Sequence, residues 1–252
     1  MSKLSDVNPT IAIIWFILST IIYGIFKYFI GIIDIKKHID FSIKNHYIDD
    51  TNDNNIKSKL EMLLYSYLLF IIISEFFINL SLTSTFCEGT PQYYNATFST
   101  IIPWTLMFTT IIAILRLFPG WLAPFSNTFG YGLSVIMGIK DLFNKLIITN
   151  FDGLKSKTVK EALTYITTDN SILINEITIE NFDDFWKNMS EIFVKQNITN
   201  EIKLELFNIV RAKTILSEVI WFLLTGLLVI SISYNNIINS NCEKNLKDMK
   251  NI

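Results

Sequence analysis

Four charged residues interrupt long apolar runs in this chain: Lys27, Glu75, Arg116 and Glu218. Charge at such positions is costly and points to function by default. Glu75 falls nearest the middle of its run, so it is the most expensive of the four. It must be neutralised, paired or turned toward protein, and a proton path through it is conceivable. Packing between helices, or between copies of the chain, is the more common reason for a lone buried carboxyl. Lys27 and Arg116 lie near the ends of their runs, where long side chains snorkel to headgroups. Arg116 and Glu218 have similar depth and could pair. The two cysteines, Cys87 and Cys242, each follow an apolar run closely. Asn95-Ala96-Thr97 is a possible glycosylation sequon.

Other patterns fail in context. Asp50, Asn52, Asn54 and Glu61 occupy positions 1, 3, 5 and 12 of a calcium loop, but Asn55 stands where glycine is needed. A solvated loop cap is the plainer expectation. His38 and His46 are the only histidines, and without a cysteine beside them they read as solvated rather than metal-binding. Thr128-Phe129-Gly130-Tyr131-Gly132 echoes a potassium selectivity filter. Pro119, Gly120 and Pro124 sit where its pore helix belongs, and Lys140 and Asp141 interrupt the inner helix. A glycine-permitted tight turn against the membrane face is expected instead. There is no Ser-His-Asp set, phosphate loop or supported Cys-His pair. The expectation is a protein that is not an enzyme, with no catalytic residues, metal or cofactor.

The elements that carry these residues are mainly apolar blocks. Half of the 252 residues are hydrophobic, 14% are aromatic, 17% are charged, and the mean hydropathy is +0.38. Disorder is excluded by that content. A net charge of −2 gives no basic excess for nucleic acid. A bilayer core needs roughly 20 mostly apolar residues in helical form. Four stretches meet the requirement, at about 10–33, 62–86, 98–118 and 215–238. Leu133 to Ile139 is too short to span and reads as buried or interfacial. Tyr28 and Phe29 beside Lys27 resemble an interfacial anchor, and Trp104, Trp121 and Trp221 also lie toward segment ends.

Basic residues orient the spans. With four crossings, one side holds Lys36, Lys37, Lys44, Lys57, Lys59, Lys140, Lys145, Lys155, Lys157, Lys160, Lys187, Lys195, Lys203 and Arg211. The other holds Lys3, Lys244, Lys247 and Lys250, so fourteen against four makes the first side cytosolic. Cys87, Cys242 and Asn95 then share the opposite side. A Cys87–Cys242 disulfide would tie the second helix to the last in an oxidising lumen, and two free thiols are the alternative.

The fold class expected is mostly α: a polytopic membrane protein with four transmembrane helices and a small, mainly helical subdomain on the cytosolic side. Residues 1–118 carry three spans, 119–212 the membrane-proximal subdomain, and 213–252 the fourth span and a short tail. Within 119–212, helical pattern covers about 133–148 and 154–168, while Ser171 to Ile179 suggests a short strand. Asn181 could cap a helix carrying Phe182, Phe185, Trp186, Met189 and Phe193. No proline or glycine interrupts Thr199 to Leu224, so one helix of about 40 residues could join the subdomain to the last span.

The run from Arg116 through Pro119-Gly120-Trp121 and Pro124-Phe125-Ser126 to Tyr131 resembles a family of multi-spanning membrane proteins of nucleocytoplasmic large DNA viruses. These viruses carry an internal lipid membrane beneath an icosahedral shell. The resemblance implies a minor capsid protein, anchoring the capsid to that membrane and residing in host endoplasmic-reticulum-derived membrane during assembly. Its partners would be the lipid bilayer, capsid or other virion proteins and other copies of itself, with no nucleic acid. Nine basic and eleven acidic residues in 119–212 suit a protein partner. Trp121, Phe182, Phe185, Trp186 and Phe193 are the expected contact surface. The competing expectation is a small ion channel or proton-conducting oligomer built on Glu75 or the Thr128–Gly132 run.

Overall fold

The computed structural model describes residues 9–45, 50–147, 164 and 168–242. It is mostly helical, and four helices are long and apolar enough to cross a membrane. In chain order come α1 (Thr10–Asn45), α2 (Asp50–Phe86) and α3 (Tyr93–Leu117). A 3₁₀ turn at Pro119–Leu122 leads into α4 (Ala123–Phe125), a π-helical turn at Ser126–Gly130, and α5 (Tyr131–Ile136). Then follow α6 (Ile139–Leu146), α7 (Asn170–Glu176), α8 (Phe182–Met189) and α9 (Asn200–Ile238). By compactness the chain forms two units: residues 1–27, 53–117 and 219–252, and residues 28–52 and 118–218.

The long helices stop where the sequence stops them. α2 contains no proline or glycine. It ends where Glu88 and Gly89 take positive φ, 52° and 91°, and the Gly89 N–H closes onto the Ser84 carbonyl at 2.8 Å. α3 gives way at Leu117, two residues before Pro119. α9 starts beside Thr199, whose hydroxyl accepts from the Ile202 N–H at 3.3 Å. It then runs unbroken for 39 residues.

In the first unit, paired contacts fix the helix directions. The Tyr67 and Phe222 rings stack at 6.2 Å, and Cys87 is disulfide-bonded to Cys242 with Cα atoms 5.6 Å apart. Both pairs are 155 residues apart, so α2 and the end of α9 run parallel and in constant register. Phe16 meets Trp104 at 5.4 Å and Phe108 at 6.3 Å, and Phe16 on Gly226 with Tyr23 on Phe222 at 5.8 Å sets α1 antiparallel to α9. Phe108 against Phe222 and Asn95 against Asn241 set α3 antiparallel to α9. The centre is aromatic: Trp104 stacks on Phe108 at 5.1 Å, and Phe16 and Phe222 meet them edge to face or tilted. Gly226 admits the Phe16 ring to its backbone, and a Cβ there would collide with it. Small residues at helix crossings do this work where apolar surroundings supply no drive for association.

The second unit has an ordinary hydrophobic core. α6 places Ile139, Leu142, Phe143 and Leu146 on one buried face, and α9 adds Leu206, Ile209 and Val210. Gly138, at φ 91°, separates α5 from α6 and re-aims the chain. An isolated antiparallel bridge pairs Ile147 with Phe193, and the Val194 N–H donates to the Leu146 carbonyl at 2.8 Å.

Several expectations are overturned. Ser171–Ile179 is not a strand, because Asp169 accepts from the Ser171 N–H at 2.9 Å and caps α7. The Ser171 hydroxyl and N–H together hold the Asp169 carboxyl below its usual range. Asp50 to Glu61 is helical and forms neither a calcium loop nor a loop cap. Thr128–Gly132 is helical through a π turn rather than a tight turn, with Gly130 at φ −65°. Trp104 is 1% exposed, in the bundle centre rather than at an interface. His38 lies in α1. His46 lies outside the described residues, as does the helix expected over 154–168 apart from helical Thr164 and Thr168.

The expected contact surface is corrected most. Phe182 and Phe193 are 3% and 0% exposed, and Phe185 and Trp186 are partly buried against the same core. The amphipathic pattern of α8 belongs to a helix packing its aromatic face inward, toward Phe207 at 4.9 Å from Phe182. Only Trp121 of the five is exposed. Phe193→Ala is therefore a core deletion, expected to cost about 3–5 kcal/mol. Calorimetry of the detergent-solubilised protein should show a lowered melting temperature. An unchanged one would return Phe193 to the surface.

Candidate functional site: the polar seam of α2

Residues four apart lie on one face of a helix. On α2, Tyr67, Ile71, Glu75, Asn79, Thr83 and Cys87 follow that spacing, and all are buried. The opposite side carries Met62, Leu69, Phe70, Ile73 and Phe77, all exposed. The helix is therefore polar inside and apolar outside. α1 buries Thr20 among Ala12, Phe16 and Tyr23 and exposes Ile11, Leu18, Ile22 and Phe26. α3 buries Ser99 and Thr100 while exposing Phe98 and Leu106.

The seam binds its neighbours rung by rung. Tyr67 Oη and Thr20 Oγ1 of α1 share a hydrogen bond of 2.8 Å. Asn79 Nδ2 donates to Thr100 Oγ1 of α3 at 2.8 Å, and that hydroxyl donates on to the Ala96 carbonyl at 2.7 Å. Thr83 Oγ1 accepts from the Gln92 N–H at 3.2 Å in the α2–α3 connection. Cys87 completes the series through its disulfide to Cys242. One face of α2 thus reaches α1, α3 and the chain just beyond α9.

Glu75 occupies the middle rung, 1% exposed, and its Oε1 has no hydrogen-bond partner among the described residues. The Asn79–Thr100 bond in an antiparallel pair puts Trp104 level with Glu75, one turn along each helix. The α2–α9 register puts Ile230 at that level and Ser233 within a turn of it. Trp104 Nε1 and Ser233 Oγ are likewise buried without a partner. A carboxyl oxygen, an indole donor and a hydroxyl at one level can together hydrogen-bond a small polar species such as water.

The other singled-out residues are placed as follows. Lys27 Nζ lies 5.9 Å from the centre of the Tyr23 ring, a cation–π contact. Arg116 pairs with Glu61 at 3.9 Å, both side chains nearly half exposed, so the pair adds little stability. Glu218 is half-buried on α9. Asn95 sits in the first turn of α3 and its Nδ2 donates to the Asn241 carbonyl at 3.2 Å, a bond that a glycan on that nitrogen would break. In the second unit, Lys213 is 2% exposed and donates to the Ile174 carbonyl at 2.6 Å. Among the described residues no cluster of three His, Cys, Asp or Glu side chains could hold a metal. Sequence reasoning found Glu75 but missed the seam, although Glu75, Asn79, Thr83 and Cys87 stand four apart in plain view.

The chain matches no family model, no curated protein and no solved structure.

The seam yields a contrast. Asn79→Leu removes an interhelical hydrogen bond and should lower stability by about 1 kcal/mol. Glu75→Leu removes a buried carboxyl with an unmatched oxygen and should leave stability unchanged or raised. Thermal melts in detergent decide, and the reverse order would make Glu75 the structural rung.

Proposed function

We propose that this chain is a multi-pass membrane protein serving a structural role, anchoring the capsid of a large DNA virus to an internal lipid membrane. The observation that carries the membrane part is four long apolar helices whose outward residues include large exposed isoleucine, leucine and phenylalanine side chains while the polar seam of α2 is turned inward. Polar groups in a bilayer must be satisfied internally, and Tyr67, Asn79 and Thr83 of the α2 seam meet that requirement, with Glu75 Oε1 the exception. The capsid part rests on the resemblance of Arg116 to Tyr131 and on the mixed charge of 119–212.

With the aromatic residues of α8 committed to the core, contact with a partner falls to charged side chains. α8 exposes Asp183, Asp184 and Lys187, with Asp183 paired to Lys203 at 2.7 Å. Such a surface gives specificity and salt-sensitive association with a protein. The disulfide at one end of the bundle agrees with an oxidising lumen on that side and the lysine-rich segments on the other.

A second reading, a proton- or ion-conducting oligomer, draws on the three unmatched polar atoms level with Glu75. Conductance of reconstituted protein, abolished by Glu75→Gln, would favour it over the structural role.

Protease treatment of sealed microsomes tests the orientation. Cleavage between Lys155 and Lys160 with protection of the tail beyond Cys242 is expected, and the reverse pattern would refute it. In purified particles, density for four helices beneath the shell is the decisive expectation for the capsid role. Absence of the protein from particles would end that role.

A further inference from the structure

From Leu117 to Ile139 the chain carries no charged residue over 23 positions, and Arg116 and Lys140 bracket the stretch. Within it, α4, the π turn and α5 form one continuous helix, Ala123 to Ile136. Its inner face buries Ser126, Gly130 and Ser134 at successive spacings of four, with Tyr131 and Val135 packed against the hydrophobic core. Gly130 lies against α9, where a Cβ would stand 2.5 Å from Lys213 Cγ and 3.1 Å from the Lys213 carbonyl oxygen. Ser217 of α9 donates to the Leu122 carbonyl at 2.6 Å, fixing the start of the helix. The exposed side carries large apolar residues beside Asn127, Thr128 and Gly132. Phe129 is 61% exposed and Ile136 84%, with Phe118 and Trp121 exposed just upstream.

We propose that this outer face is seated in the headgroup–acyl boundary of the bilayer leaflet at which α3 ends, so that 117–137 is a monotopic element held on α9. Three observations select lipid over a protein partner. The helix turns Phe129 and Ile136, two turns apart, outward beside the exposed Phe118 and Trp121, an apolar stripe that carries no charge. It begins within a few residues of the end of α3, so the chain does not travel away from the span before the patch starts. Cations stand at both ends of an uncharged stretch, the pattern that anionic headgroups favour. At 14 residues the helix is about 21 Å long, too short to cross, so the chain returns to the side it left and the number of crossings stays at four. The π turn widens the helix by one residue between Phe125 and Tyr131, with Gly130 against Lys213 of α9 and Phe125 and Phe129 side by side at 6.3 Å.

The proposal rests on the membrane reading of the four spans, and the test separates the two. The full-length protein, its native cysteines held as a disulfide, takes a single added cysteine at Phe129→Cys, Ile136→Cys, Leu69→Cys or Lys187→Cys. Each is labelled with an environment-sensitive fluorophore in vesicles of phosphatidylcholine with a minority of phosphatidylserine. Labels at 129 and 136 should be quenched by lipids spin-labelled near the headgroup, and be several-fold less sensitive to iodide than the label at 187. If 69 is quenched by lipid while 129 and 136 are open to iodide, the surface proposal falls and the spans stand. If 129 and 136 are shielded from both quenchers, a protein covers the face and the proposal also falls. If 69 too is open to iodide, the membrane reading falls with it.

Discussion

A polar side chain in hydrocarbon has no water to turn to, so it must find its partner among the helices it packs with. The α2 seam answers that constraint, and the first unit is arranged around it. Tyr67, Asn79 and Thr83 each meet a group on another helix or in the following connection, and Cys87 supplies a covalent rung. With these groups facing inward, the large side chains on the outer surfaces of α1, α2 and α3 are mainly isoleucine, leucine and phenylalanine, and the exposed Thr97 and Thr110 hydroxyls of α3 donate back to carbonyls of their own helix. The same polarity in water would be an aggregation hazard. In a bilayer it is the low-energy arrangement.

Packing then follows from shape rather than from exclusion of water. Apolar side chains gain little by leaving lipid for protein, so close approach and dispersion hold the helices together. Phe16 illustrates this, with its ring against Gly226 on one side and Trp104 and Phe108 on others. The constant register between α2 and α9, from Tyr67–Phe222 to Cys87–Cys242, leaves no slack for one helix to slide along the other. Glu75 is the exception in this arrangement, a buried carboxyl whose unmatched oxygen contributes nothing to cohesion that an apolar residue could not.

Much of the four-helix plan was legible because bilayer thickness imposes a length on apolar runs, and that signal survives any detail of packing. The common side of Cys87 and Cys242 was legible for the same reason. What failed depended on which face of an element turns inward. The residues Phe182, Phe185, Trp186 and Phe193 mark an apolar face, and nothing in a single helix tells whether a core or a partner covers it. The Ile- and Thr-rich stretch from Ser171 to Ile179 favours a strand by intrinsic preference, and the Asp169 cap overrides that preference. Helix at Asp50–Glu61 was hidden by residues that favour turns in isolation and are here continuous with a long apolar helix. The seam escaped because α2 is apolar nearly all round, so its few polar residues looked like interruptions rather than a face.

α9 shows both regimes on a single helix. Between Asn200 and Val210 it behaves as in water, burying Leu206, Ile209 and Val210 while Glu201 and Glu205 are exposed. Between Val219 and Ile238 the outward side instead carries Leu224 and Leu228, while Phe222, Val229, Ile230 and Ser233 are buried. The change falls at Arg211, Lys213 and Ser217, all buried. Lys213 can be buried there because the Ile174 carbonyl takes its ammonium proton, and Ser217 because the Leu122 carbonyl takes its hydroxyl. The Arg211 guanidinium fits against Gly31, where no side chain competes for the space. Long cations whose stems pack on apolar surface and whose heads reach backbone carbonyls suit a boundary between two solvents. The exposed side of one unbroken helix thus changes from the carboxylates Glu201 and Glu205 to Leu224 and Leu228, the change a helix needs if it is to pass from water into a bilayer.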